Sequence, residues 1–148
     1  MPEAIRQGDI PGVQHRRRQA LAISPDEAWR WLVEPERLAL WLAERAEVVQ
    51  GPDGELLLSG SGFRERGRTI EFRPPRLWVL AFEQLDAGWT AATRLSLRVH
   101  AGSAGGDGSE IDVLQDGFQR LPLSNCLTIW ETYRRRWRDA LGRLAEIA

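Results

Sequence analysis

The chain has 148 residues, a formal net charge of -1 and a single cysteine, Cys126. That length fits one domain with a real core, and the charge balance removes any global electrostatic case for nucleic acid or an anionic membrane. One cysteine excludes an internal disulfide framework, and no apolar run approaches the ~20 residues that span a bilayer.

Residues 1–12 read as a flexible leader without the apolar stretch of a signal peptide, ahead of one domain over 13–148. The reading is of a soluble, cytoplasmic protein. Val13 to Ile23 is a first strand. Ser24-Pro25-Asp26-Glu27 then opens a short helix, with Ser24 as N-cap, Pro25 at the first helical position and Glu27 where a capping-box acid belongs. Glu34-Pro35 ends that helix and starts another that closes on Trp41, because the residue before proline avoids the α region. Strands over 46–50 and 55–60 flank Gly51-Pro52-Asp53-Gly54, a turn sequence. Two more run from Arg68 to Arg73 and from Arg76 to Gln84, parted by Pro74-Pro75. Thr93 to His100 alternates apolar and polar residues, which predicts a strand with one buried face. Ala101 to Ser109 is a glycine-rich hairpin connection, and Glu110 to Leu114 is the last strand. Nothing in this order shows a βαβ rhythm, and all of it is compatible with an antiparallel sheet.

The segment from Ser124 to Ile147 carries the clearest periodicity. At 100° per residue, Trp130, Tyr133, Trp137, Leu141 and Leu144 fall on one side with Leu127 and Ile147. Glu131, Arg135, Arg138 and Asp139 fall opposite. This predicts an amphipathic helix about 35 Å long, enough to cross a whole sheet. Arg134 lies at the edge of the apolar arc and is expected to snorkel.

Several of these pieces resemble the START-like, Bet v 1-like (SRPBCC) superfamily, and within it the Activator-of-Hsp90-ATPase-homologue type. They are Ala22-Ile23-Ser24-Pro25-Asp26-Glu27-Ala28-Trp29, then Pro35-Glu36-Arg37-Leu38 with Trp41. Gly67 and Glu71 follow ahead of Pro74-Pro75-Arg76-Leu77, and Val113-Leu114-Gln115-Asp116-Gly117-Phe118 leads to the last helix. The family often has a histidine in a Leu-x-His-x-Gly-Phe pattern; here that place is Gln115. The resemblance implies an α+β helix-grip fold, a curved antiparallel sheet wrapped around the C-terminal helix with two short helices closing one end. It also implies a cavity that in relatives holds lipids, sterols, polyketides or other apolar molecules. One activity is not implied, since the superfamily includes binders, transporters, cyclases and co-chaperone domains.

Seven tryptophans is a large number for this length. Trp41, Trp78, Phe82, Leu97, Trp130, Tyr133 and Trp137 belong to elements that would line a helix-grip interior. Two readings stand side by side: an aromatic pocket for a small apolar ligand, or a tightly filled core. Gln115 and Tyr133 are the polar groups suited to orienting a ligand. Glu71 is expected in solvent and Glu83 at the cavity mouth. No metal-ligand spacing, nucleophile elbow or phosphate loop occurs, so neither a metal nor a cofactor is expected. Arg134-Arg135-Arg136 reads as solvated surface. The leading expectation is a binding protein for a small hydrophobic ligand, not an enzyme, with no nucleic-acid or membrane partner. The alternatives are a co-chaperone-like protein module and a cofactor-independent cyclase or hydrolase. A homodimer is compatible with the fold.

Overall fold

The computed structural model describes residues 5–102, 107–121 and 125–148. Strand β1 (Gln14–Leu21) leads into helices α1 (Pro25–Val33) and α2 (Pro35–Trp41). Strands β2 (Arg45–Val49), β3 (Glu55–Gly60), β4 (Phe63–Arg73), β5 (Leu77–Leu85), β6 (Thr93–Ala101) and β7 (Ser109–Asp116) follow. A 3-10 turn (Phe118–Arg120) precedes the C-terminal helix α3 (Cys126–Ile147). The seven strands form one antiparallel sheet in the order β1-β7-β6-β5-β4-β3-β2. From β2 to β7 every neighbour is also the next strand in sequence, so β1 and β2 are the two edges. Helices α1 and α2 carry the chain between those edges, which places them across one end of the sheet.

Local chemistry explains these elements. Ser24 Oγ accepts the Glu27 N–H at 3.2 Å, and Pro25 takes the first turn of α1, as the sequence predicts. Glu34 then sits at φ -91°, ψ 120°, extended, and the chain restarts at Pro35. Strand β4 begins at Phe63, well before the expected start at Arg68. Its inward face is Glu65, Gly67 and Thr69, and a bulge between Thr69 and Glu71 then turns Phe72 inward opposite Trp78. Gly67 is needed on that face, because a Cβ there would lie 2.8 Å from Leu80 Cδ2.

The core lies between the inward face of the sheet and α3, with α1 and α2 closing the end. Trp130, Tyr133, Trp137, Ala140, Leu141 and Leu144 of α3 are all buried. Leu127 and Ile147, assigned by periodicity to the same face, are exposed, because both lie in the terminal turns of the helix. Ser124, the expected first residue of that helix, lies outside the described residues, as does the centre of the glycine-rich 101–109 connection.

Arg134 does not snorkel: it is buried and its Nε donates to Asp9 Oδ2 at 2.9 Å. Asp9 also accepts the backbone N–H groups of Arg16 (2.9 Å) and Arg6 (3.2 Å). Thus the described part of the 1–12 segment is fastened to α3 through one carboxylate. A buried guanidinium needs its anion, since removing one partner leaves an uncompensated charge. Replacing Asp9 with Ala is expected to lower unfolding free energy by about 2 kcal/mol, less than for an isolated pair because Glu131 also contacts Arg134 at 3.3 Å. Chemical denaturation of the variant beside the parent protein measures it.

Candidate functional site

Strand β4 and helix α3 bring three ionisable side chains together inside the grip. Glu65 points inward from β4 because Arg64, Arg66 and Arg68 occupy the alternate, outer positions. Tyr133 Oη donates to Glu65 Oε2 at 2.5 Å and lies 3.4 Å from Gln84 Oε1. One turn along α3, Arg136 donates from Nη1 to the same Oε2 and from Nη2 to the Leu42 carbonyl at 3.2 Å. Both Glu65 and Tyr133 are buried. Burial, then the adjacent Glu65 carboxylate, pushes the Tyr133 hydroxyl well above its ordinary range. It therefore remains a proton donor at every physiological pH.

Aromatic rings surround this cluster. The ring of Tyr133 meets Phe82 at 6.1 Å, Trp89 at 5.7 Å and Phe118 at 6.0 Å. Arg136 stands 4.7 Å over the Phe63 ring. One open groove, of about 370 Å³, runs beside the cluster between the end of α2 and α3, past Leu40, Trp41, Leu42, Phe63, Arg136 and Arg143. Another, of about 230 Å³, lies on the outer face of β2–β5 among Arg45, Glu47, Leu57, Ser59, Arg64 and Leu85, away from the inward-pointing Glu65 carboxylate.

A second polar chain crosses the far side of the interior. Thr93 Oγ1 donates to the Phe82 carbonyl at 2.8 Å and accepts from Gln115 Nε2 at 3.0 Å. Gln115 Oε1 in turn lies 2.9 Å from His15 Nε2, its direct neighbour in the β1–β7 register. Since the amide oxygen only accepts, this bond assigns the proton to Nε2. Burial lowers the His15 pKa to about 4, and the Gln115 bond offsets this only in part.

The eight lining candidates named from sequence are buried, and the seven other than Gln115 belong to one continuous hydrophobic core. Trp41 and Trp137 pair at 6.2 Å, and Phe82 meets Tyr133. Trp78 lies farther along the sheet beside Leu97, with Phe72 edge-on at 5.8 Å and its Nε1–H donating to Thr69 Oγ1. Trp130 is two turns earlier on α3 than Trp137, and its Nε1–H reaches the Gln14 carbonyl at 2.7 Å. Gln115 belongs to the His15–Thr93 chain. Of the two carboxylates weighed from sequence, Glu83 pairs with Arg66 at 2.8 Å and Glu71 with Arg73, both partly solvent-exposed. Glu65 and Arg136 were missed. Arg136 was read as solvated surface, yet it donates into the interior and only Arg135 of its triplet is well exposed. The alternation of arginines at 64, 66 and 68 was the available signal for Glu65. Among the described residues no group of three or more metal-ligating side chains occurs, and no helix is long and apolar enough to cross a membrane.

No family model and no curated protein matches the chain. Solved structures do. DynU16, from the dynemicin biosynthetic locus, superposes with a TM-score of 0.71 at 16% identity, over 90% of this chain but only 46% of its own. The chain therefore spans about half the length of that protein. An Hsp90 activator from Plasmodium falciparum gives 0.72 at 17% identity, covering 91% of this chain and 95% of its own. CalU16 from Micromonospora echinospora gives 0.64 at 20% identity, over 88% and 73%. The chain shares the α+β helix-grip fold of these structures.

Within this helix-grip frame, His15 gives a pH signature of the interior. Its folded-state pKa of about 4 lies below the ordinary value near 6.5, so the folded protein holds it neutral. The unfolded chain binds a proton below about 6.5, which makes stability fall as pH drops from there to about 4 and level off below. The full effect is roughly 3 kcal/mol. Urea midpoints measured across this range should show the loss, and the variant His15→Gln should lack it.

Proposed function

We propose that the protein binds a small apolar or aromatic molecule in its helix-grip interior, reached through the groove beside Arg136. The observation that carries this reading is a buried Tyr133–Glu65–Arg136 cluster set among aromatic rings, with Arg136 lining an open groove. An apolar interior with a few convergent polar groups is the usual make-up of a small-molecule site. Trp41, Trp137, Phe82 and Tyr133 form the near wall. Trp78, Leu97, Gln115 and Trp130 form the wall behind. Trp41 lines this groove and packs on Trp137. Burial of ligand carbon supplies most of the affinity, at ~25 cal/mol per Å² before ordering costs. The Tyr133 hydroxyl, whose proton is held by Glu65, orients the ligand as an acceptor. A hydroxyl held so firmly protonated suits binding better than proton abstraction, which favours a binding protein over an enzyme. We place its work in the cytoplasm, where the lone Cys126 stays a free thiol.

A protein-binding role draws on a separate observation: Leu40 of α2 is 62% exposed at the rim of the larger groove. Stimulation of an Hsp90 ATPase on mixing at micromolar concentration would speak for that role, and no stimulation against it.

Native mass spectrometry of freshly purified protein, set beside its denatured mass, tests ligand binding. An added mass of roughly a few hundred daltons that vanishes on denaturation is expected. A clean apo mass counts against the reading and shifts weight to the protein-binding role.

A further inference from the structure

The sheet ends in two edge strands, β1 and β2, and their free sides differ. On β1 the preceding segment supplies partners. Ile10 and Gln14 exchange backbone hydrogen bonds at 2.9 Å, and Asp9 Oδ1 accepts the Arg16 N–H at 2.9 Å. Among the described residues, the backbone of β2 makes no hydrogen bond outside its ladder with β3. Arg45, Glu47 and Val49 stand exposed on its outer face, and among the described residues neither charge enters an ion pair. An open edge of this kind is a ready template for another strand, and proteins commonly block one with charge.

We infer that β2 pairs with the β2 of a second copy of this chain, antiparallel about a two-fold axis at Ala46 normal to the sheet. Register and charge choose this arrangement. Side chains alternate between the two faces, so only registers that set outer positions opposite outer positions keep both cores buried. The axis must then pass through a residue. At Arg45 or Glu47 it would set a charge against its own copy. At Val48 or Val49 it would leave Arg45 beyond the end of the facing strand. At Ala46 it sets Arg45 of each copy opposite Glu47 of the other, in both directions by symmetry, with a small side chain at the centre. The β1 edge has the contrary pattern. Arg16 and Arg18 share its outer face, so antiparallel self-pairing there sets arginine against arginine. The inference is independent of the binding role proposed above.

Sedimentation equilibrium of the full chain over a range of concentrations tests it, at low salt because exposed charge pairs are screened as salt rises. The parent protein is expected to associate to twice the chain mass. Glu47→Arg alone and Arg45→Glu alone each put like charges face to face at the junction. Each should weaken association about 10-fold or more, and the double swap should restore it. Amide hydrogen exchange of the parent protein gives a reading that needs no variant: protection of Arg45–Val49 should rise with protein concentration. A chain that stays monomeric throughout, or a dimer whose affinity does not follow the swaps, overturns the inference. So does β2 exchange that ignores concentration.

Discussion

A single carboxylate, Glu65, ties the C-terminal helix to the sheet, and much of the interior is arranged around it. Taking a carboxylate out of water is expensive unless charge and hydrogen bonds replace the lost hydration. Here α3 supplies both, Arg136 as the counter-charge and Tyr133 as a donor, with the two side chains spaced to converge on one oxygen from adjacent turns. That convergence fixes the rotation of α3 over β4. Once fixed, the same helix face sends Trp137 onto Trp41 and places Tyr133 against Phe82 and Phe118.

The two sides of the interior are built differently. On the β1–β7–β6 side, the His15–Gln115–Thr93 chain uses its hydrogen bonds internally and ends on a strand carbonyl. Ahead of β1, the pair of Asp9 with Arg134 of α3 closes the same side against the start of the chain. On the β2–β4 side Glu65 and Tyr133 are buried under α3, and Arg136 both pairs with Glu65 and lines the open groove beside α2. One side is thus closed by its own hydrogen bonds, and on the other a charged group extends from the interior to a groove.

What could be read from the sequence follows from periodicity. Thr93 to His100 and the Trp130–Leu144 arc repeat cleanly at 2.0 and 3.6 residues, so their elements were legible, and Ser24-Pro25 marked α1 by its cap. Strand β4 was legible only in part. Its first half, Phe63-Arg64-Glu65-Arg66-Gly67-Arg68, looks like a charged loop because hydropathy averages over both faces. The outer arginines conceal an inner acid and an inner glycine. Arg136 was hidden for a related reason: in a run of three arginines on a helix each points about 100° from the last, so one triplet reaches a buried pair (Arg134), solvent (Arg135) and the interior cluster (Arg136). Which of them goes inward depends on where acids wait in other strands, and that is tertiary information.

The fold alone does not choose among binding, catalysis and protein contact, because the same frame serves unrelated roles. The choice has to come from the chemistry at the site. An acid–base enzyme needs two groups whose proton affinities straddle neutral pH within reach of one substrate. In this interior, Tyr133 is held protonated and His15 is held neutral with its Nε2 proton committed to Gln115. His15 sits beside Phe118, and Phe118 beside Tyr133, so an aromatic ring stands between the two polar clusters. Among the described residues no side-chain hydrogen bond joins the two clusters, so the interior holds two separate polar networks, each ordered by its own burial and each keeping its proton where the neighbouring acceptor fixes it.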